Sequence, residues 1–315
     1  MSHQRVLAFF IVLCAAMPAW AQDYPSRPVQ VIVPYPAGGG VDVMARAFAD
    51  SLSAIMGQQY VVVNKDGAAG VLGFTQLAQA RPDGYTLAFS PTTPVTGAVQ
   101  LMKNVPYDRG DFEYVCQVFE NVFTVTVPKT SPYSSLAALI AAARAAPGKL
   151  TYGHAGIGTV PHLSVEALVW KADIRVVPVA FRGDAQMVPQ LLSGQIDFGA
   201  AAVSTIAQQD PRVLAVFGDK RHSAYPDAPV VTELGYPYMP PGLNGLFAPK
   251  ATPERVLARL ERSCAQAAEA EKFRKLAATL YQPVVYLDRA RFTGRARVDY
   301  DFKAEVIRAA KITVD

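Results

Sequence analysis

Twice in this chain a short strand-like run gives way to glycine and restarts as a helix. Val29 to Val33 leads through Tyr35, Pro36, Ala37, Gly38, Gly39 and Gly40 into a segment where Val41, Ala45, Phe48, Leu52 and Ile55 recur at three- and four-residue steps. Leu150 to Gly153 leads through Gly156, Ile157, Gly158 and Thr159 into a helix over Val160 to Lys171, with Thr159 suited to its N-cap and Pro161 to its first turn. A strand followed closely by a helix belongs to a crossover unit, so the pattern demands α/β layers. The alternation continues around each unit. Tyr60 to Val63, a helix near Gly73 to Gln79, and Tyr85 to Ser90 follow the first. Val176 to Phe181, a helix from Asp184 to Ser193, Ile196 to Ala200, and Val213 to Phe217 follow the second. Parallel sheets covered by helices are predicted.

Two such sets fit a chain of 315 residues, long for one core. The extended stretch Glu113 to Pro128 separates them, and Ser134 to Ala146 opens the second as a helix. From Gly245 the chain offers a long helix with Pro253 in its first turn, another over Glu271 to Leu280, a strand over Pro283 to Leu287 and a basic terminal helix. These elements need a sheet, and returning them to the first set gives a discontinuous lobe I of residues 22–122 and 242–315 and a lobe II of 123–241. Two crossing segments, near 115–128 and 235–248, then predict a hinge beneath a cleft.

The apolar stretch Val6 to Cys14 follows His3 and Arg5, and Ala19-Trp20-Ala21 supplies a small-residue cleavage site, so residues 1–21 read as a secretory signal and the mature protein as periplasmic. No later segment reaches the ~20 apolar residues that span a bilayer. A formal charge of +4 and scattered basic residues argue against nucleic acid; Arg289, Arg291, Arg295 and Arg297 read as a solvated helix face. Cys116 and Cys264 survive export, and their pairing stays open, since a bridge requires close Cα atoms.

Glycines without Cβ let a ligand approach the backbone, and first-turn N–H groups with the helix dipole favour an anion there. Taken singly, each glycine loop is also an ordinary tight turn. Facing one another across a cleft, the two would grip a carboxylate or phosphate with neutral groups. Ala69, in the third glycine stretch Asp66 to Gly73, and Ser90 and Thr92, at a strand's carboxyl end, fall where ligands of open α/β sheets bind. The loops fail both the dinucleotide fingerprint and the P-loop spacing. No G-x-S-x-G is present, so a hydrolase or isomerase using His162 and an acid is the weaker alternative. His162 and Glu166 lie one turn apart without a third ligand, so neither metal nor cofactor is expected. In Arg182-Gly183-Asp184, either the arginine pairs with a distal carboxylate or Asp184 caps a helix.

Five stretches in order, VPYPAGGGVDVMAR, VVVNKDGAAGVLGFTQLAQARPDGYTL, YGHAGIGTVPHL, VPVAFRGDAQMVPQLLSGQIDFG and KRHSAYPDAPVVTELG, together resemble the periplasmic receptors of tripartite tricarboxylate transporters, the Bug receptors. The resemblance runs over nearly the whole mature chain. It implies an α/β fold of the type II periplasmic-binding-protein kind, two α/β lobes around a ligand cleft, that captures a small organic carboxylate and delivers it to membrane permease subunits. A ligand-sensing receptor for a two-component sensor kinase is the alternative use of the same fold. The resemblance places carboxylate-gripping loops at Tyr35 to Gly39 and Gly156 to Thr159, with His162 beside the second. Where many relatives carry VPYKG this chain has Val179-Ala180-Phe181-Arg182-Gly183, and where they carry Asp or Asn it has an apolar run including Ala200 and Ala201. The far end of the cleft is therefore expected to be less polar, suiting a monocarboxylate or aromatic acid.

Overall fold

The structure, a computed structural model, describes residues 24–207 and 209–313; the expected signal segment, residues 1–21, lies outside them. In chain order the first elements are β1 (Val29–Val33), α1 (Gly40–Met56), β2 (Tyr60–Asn64), α2 (Val71–Ala78), β3 (Thr86–Pro91), α3 (Thr93–Thr96), α4 (Ala98–Leu101) and β4 (Phe112–Asn121). Then come β5 (Phe123–Val127), α5 (Leu136–Ala145), β6 (Thr151–His154), α6 (Val160–Ala172), β7 (Val177–Ala180), α7 (Asp184–Leu192), β8 (Phe198–Ala202), α8 (Val203–Ile206) and β9 (Arg212–Phe217). The chain ends with β10 (Gly242–Pro249), α9 (Glu254–Glu269), α10 (Glu271–Thr279), β11 (Val284–Leu287) and α11 (Arg289–Ala309).

Two sheets form, ordered β11-β4-β10-β3-β1-β2 and β7-β6-β8-β5-β9. The expectation of purely parallel sheets is corrected. β1 pairs parallel with β2 and β3, and β6 with β7 and β8, but β10 runs antiparallel to β3 and β4, and β5 antiparallel to β8 and β9. The reason lies in how the chain crosses. β4 ends at Asn121 and β5 begins at Phe123 in the other sheet, so one extended stretch serves both with only Val122 between. Each crossing strand that enters a sheet starts at the carboxyl ends of its parallel strands and must run against them: Phe123 pairs with Ala202, and Asn244 with Pro91.

Each sheet is covered on both faces. In the first, α1, α9 and α10 bury Phe48, Leu52, Leu260 and Phe273 against Phe89 and Phe119, while Phe74, Phe112, Phe247 and Phe292 fill the opposite face. A Cys116–Cys264 disulfide ties β4 to α9. In the second, α5 and α6 cover one face around Tyr152 and Phe198, and Met187 and Leu191 of α7 cover the other. Helix α11 packs on both bodies: Phe292 and Ala296 belong to the first core, whereas Phe302, Val306 and Ile307 pack on the second, as does Ile312 just past the helix end. Midway along it, buried Lys303 donates to Asp299 at 2.7 Å and to Thr96 at 2.8 Å, and Thr92 donates to Asp299 at 2.9 Å. The terminal helix is thereby fastened to the chain just beyond β3.

Candidate functional site

Between the two sheets lies a cleft of about 610 Å³, its mouth included. Asn121, Phe123 and Gly242 form its floor, where the strands cross between sheets. One wall is Tyr35, Pro36, Gly39, Gly40 and Val41 with Pro91 and Thr93. The other is Ala155, Thr159, Val160 and Pro161, then Gly183, Asp184 and Ala185, then Ala202, Ser204 and Thr205. An outer space lined by Ala37, Gly38 and Gly40 on one side and Asp184, Ala185, Ser204 and Thr205 on the other adjoins it.

The walls touch, so the protein is closed. The backbone of Gly97 lies so near that of Gly158 that a Cβ on Gly97 would fall on the Gly158 carbonyl oxygen. A Cβ on Gly40 would come 2.5 Å from Ser204 Oγ, and one on Gly183 would come 3.2 Å from Pro36 Cδ. Arg182 reaches across to Asp66 at 3.6 Å.

The two glycine loops are pinned from behind. Gly38, at φ +82°, donates its amide to Asp42 Oδ2 at 2.9 Å. Asp42 is buried and also accepts from Arg46 Nε at 3.1 Å and from Asn64 at 2.8 Å. Burial alone would raise its pKa, but the bonds from Arg46, the Gly38 amide and Asn64 hold the carboxyl below its ordinary value. In the other loop, Gly158 donates its amide to His162 Nδ1 at 3.2 Å, while His154 Nδ1 lies 3.0 Å from the Gly156 carbonyl oxygen and 3.3 Å from its amide, so the ring's tautomer sets which of the two it binds. Thr159 caps α6 as expected, accepting from the His162 amide at 3.4 Å while donating to the Gly156 carbonyl at 2.6 Å. The imidazoles lie 4.5 Å apart and are buried; desolvation lowers His154 to about 4 and His162 to about 3, so both are neutral at pH 7.

The sequence expectation that the loop-tip amides face a ligand is therefore corrected for Gly38 and Gly158, whose amides Asp42 and His162 accept, and His154 Nδ1 contacts the backbone of Gly156 from behind. The amides without a protein partner among the described residues sit just beyond, in the first turns: Gly40 and Val41 of α1, Val160 of α6, and Asp184 and Ala185 of α7. Those are the residues that line the cleft.

Of the expected site residues, Tyr35, Pro36, Gly39 and Thr159 line the inner cleft, and Ala37 and Gly38 line the outer space. Gly156, Ile157, Gly158 and His162 lie outside the lining, as parts of the loop and its support. Ala69 accepts from Tyr35 Oη at 3.3 Å and so holds the wall from outside. Ser90 is buried and donates to the Pro91 carbonyl, and Thr92 is turned toward Asp299; their neighbours Pro91 and Thr93 line the space instead. Ala200 and Ala201 are buried in the sheet cores, and Ala202 replaces them at the wall.

The expectation of a less polar far end is also corrected. Asp184 Oδ2 accepts from the Ala202 amide at 2.8 Å and the Thr205 hydroxyl lies beside the carboxyl, while Asp184 Oδ1, Ser204 Oγ and Thr205 Oγ1 are sealed from solvent with no hydrogen bond of ordinary geometry among the described residues. Burial pushes the Asp184 carboxyl up to about 6, against the pull of the Ala202 amide and the neighbouring Thr205 hydroxyl. Asp184 occupies the first position of α7 rather than its cap, which is Gly183. Arg182 turns outward to Asp66, and no lysine or arginine lines the cleft among the described residues. The sequence did signal this corner: Asp184 follows a glycine at a strand end, and Ser204-Thr205 follows the apolar run Ala200 to Val203.

Residues 44–294 match the model of the tripartite tricarboxylate transporter family receptor. The chain is 34% identical to protein BugT of Bordetella pertussis over 86% of each chain. It superposes on a solved R. palustris protein with adipate at a TM-score of 0.87 and 25% identity, covering 92% of this chain and 99% of that one. It also superposes on MatC from Rhodopseudomonas palustris with bound malate at 0.83 and 25% identity, covering 91% and 100%. The match over residues 44–294 covers most of the chain, and the chain belongs to the tripartite tricarboxylate transporter receptor family.

Proposed function

We propose that this receptor works in the periplasm, closes over a small organic carboxylate without altering it, and presents the closed form to the membrane permease subunits of a tripartite tricarboxylate-type transporter. The lobes are residues 22–122 with 242–315, and 123–241, rotating about the two crossings. One observation carries the reading. Among the described residues, first turns of α1 from one side and of α6 and α7 from the other point unpaired amides into a cleft without a basic side chain. Aligned peptide dipoles favour an anion at such ends, and a carboxylate has enough lone pairs to bridge both sides. The adipate and malate held by relatives of similar fold support the ligand class.

Closure follows from the same geometry. A ligand that touches both walls only when they meet binds the closed state better and draws the population toward it. Isothermal titration with a carboxylate panel and the matching methyl esters tests this. Saturable binding by carboxylates, none by esters, and recovery of unchanged ligand are expected. Equal affinity for acid and ester, or turnover, would overturn the reading.

A further inference from the structure

We infer that the corner formed by Asp184, Ser204 and Thr205 is an ammonium-binding subsite, so that the solute carries a protonated amino group as well as its carboxylate. The inference deepens the carboxylate reading and rests on it. Three side-chain oxygens at this corner, Asp184 Oδ1, Ser204 Oγ and Thr205 Oγ1, are buried with no hydrogen bond of ordinary geometry among the described residues, although buried polar atoms in folded proteins nearly always have one. Ser204 is only 9% exposed. All three residues line both the inner cleft and the space that adjoins it.

The chemistry of these atoms selects the partner. A carboxylate oxygen only accepts when ionised, and each hydroxyl can turn a lone pair outward, so the corner offers three acceptors. A primary ammonium presents three donors and no acceptor. Asp184 is a buried carboxylate with no cation beside it in the cleft among the described residues, and Arg182 turns to Asp66. A carboxylate ligand without a compensating positive group would add like charge near it. An amino group removes the conflict, placing opposite charge at Asp184 while the ligand's carboxylate meets the first turns of α1 and α6. The subsite is completed by closure, because Ser204 Oγ faces Gly40 of α1, where no Cβ intervenes.

Titration calorimetry with matched pairs tests the inference: γ-aminobutyrate against butyrate, L-alanine against propionate, L-aspartate against succinate. We expect at least one amino member to bind about tenfold or more tightly than its deaminated partner. Asp184→Asn keeps the shape and an acceptor for the Ala202 amide, and should erase that preference. Thermal melting verifies that the variant folds, and Ser204→Ala, a gentler change, should weaken the amino member severalfold. Deaminated acids binding as tightly as their amino partners, with Asp184→Asn unchanged, would overturn the subsite and leave the carboxylate receptor standing. Failure of both series to bind would overturn both.

Discussion

In the first lobe the loop before α1 is tied to the fold by an ionised carboxylate; in the second the loop before α6 is tied by two uncharged imidazoles. Asp42 gathers the Gly38 amide, Arg46 and Asn64 around one buried charge. His162 takes the Gly158 amide with a neutral nitrogen, and neutral His154 binds the backbone of Gly156 through Nδ1. Both devices spend the loop-tip amides internally and thereby fix the first-turn amides that follow. They differ in what acid does to them. Asp42 is held ionised below its ordinary range, so the first clamp survives mild acid. The histidines stay neutral only while the solution does not force protons onto them.

That difference gives the largest expected effect. Unfolded chain takes up protons on these rings near 6.5, whereas the folded protein resists until about 4 for His154 and about 3 for His162. Between those values the unfolded state binds more protons, so stability present above pH 6.5 is lost as the pH falls toward 4. The loss should be on the order of 3–6 kcal/mol, read as urea midpoints at a series of pH values. Trp170, half-exposed on α6, is the single tryptophan after residue 21 and reports on this lobe. His162→Phe keeps a ring but leaves the Gly158 amide without its acceptor; it should cost about 1–3 kcal/mol at pH 7 and flatten the acid slope. An unchanged slope in that variant would mean that the clamp is not what titrates.

How much of this was readable beforehand follows from the range of each interaction. The strand, glycine loop and helix units rest on local periodicity and caps, so α1 and α6 fall where apolar spacing and Thr159 place them. The acceptors for Gly38 and Gly158 lie four residues downstream, one turn into each helix, yet only folded geometry shows that Asp42 and His162 turn back rather than outward. Ser90 and Thr92 sat at the right strand end, but alternation and a helical turn point their side chains away from the cleft, and neither direction follows from position alone. Helix α11 carries apolar residues for two different lobes, so Phe292 and Ala296 do not continue in phase into Phe302 and Val306. The unpaired corner at Asp184 exists only because β8 and α7 meet there, a tertiary fact with a faint local mark.

The second effect sharpens the comparison by parting the lobes without disturbing either clamp. Gly97 has a negative φ, so alanine fits its own lobe, but the added Cβ would collide with the Gly158 backbone of the other. Backbone cannot rotate aside as a side chain does, so the closed state alone is penalised. Gly97→Ala should weaken ligand binding about 10- to 100-fold while the melting temperature of the ligand-free protein stays put. Small-angle scattering should show a more open form with ligand present. Full affinity in this variant would show that the ligand is held without the lobes meeting at this point.

The smallest effect concerns the charged contact between the walls. Arg182 and Asp66 pair at 3.6 Å, with the arginine side chain 69% exposed and the aspartate 29%. A pair so open to water gains little, because solvent screens it and both side chains lose freedom, so Arg182→Ala should cost at most about 1 kcal/mol of closure, no more than about fivefold in affinity. Raising salt should reproduce most of that loss in the unaltered protein and none in the variant. A far larger loss would mean that Arg182 reaches the ligand itself, reversing the assignment of the cleft as one that holds an anion through peptide groups. A loss within the expected range, alongside the large effect at Gly97, would show that the lobes meet through backbone fit, with charge only trimming the balance.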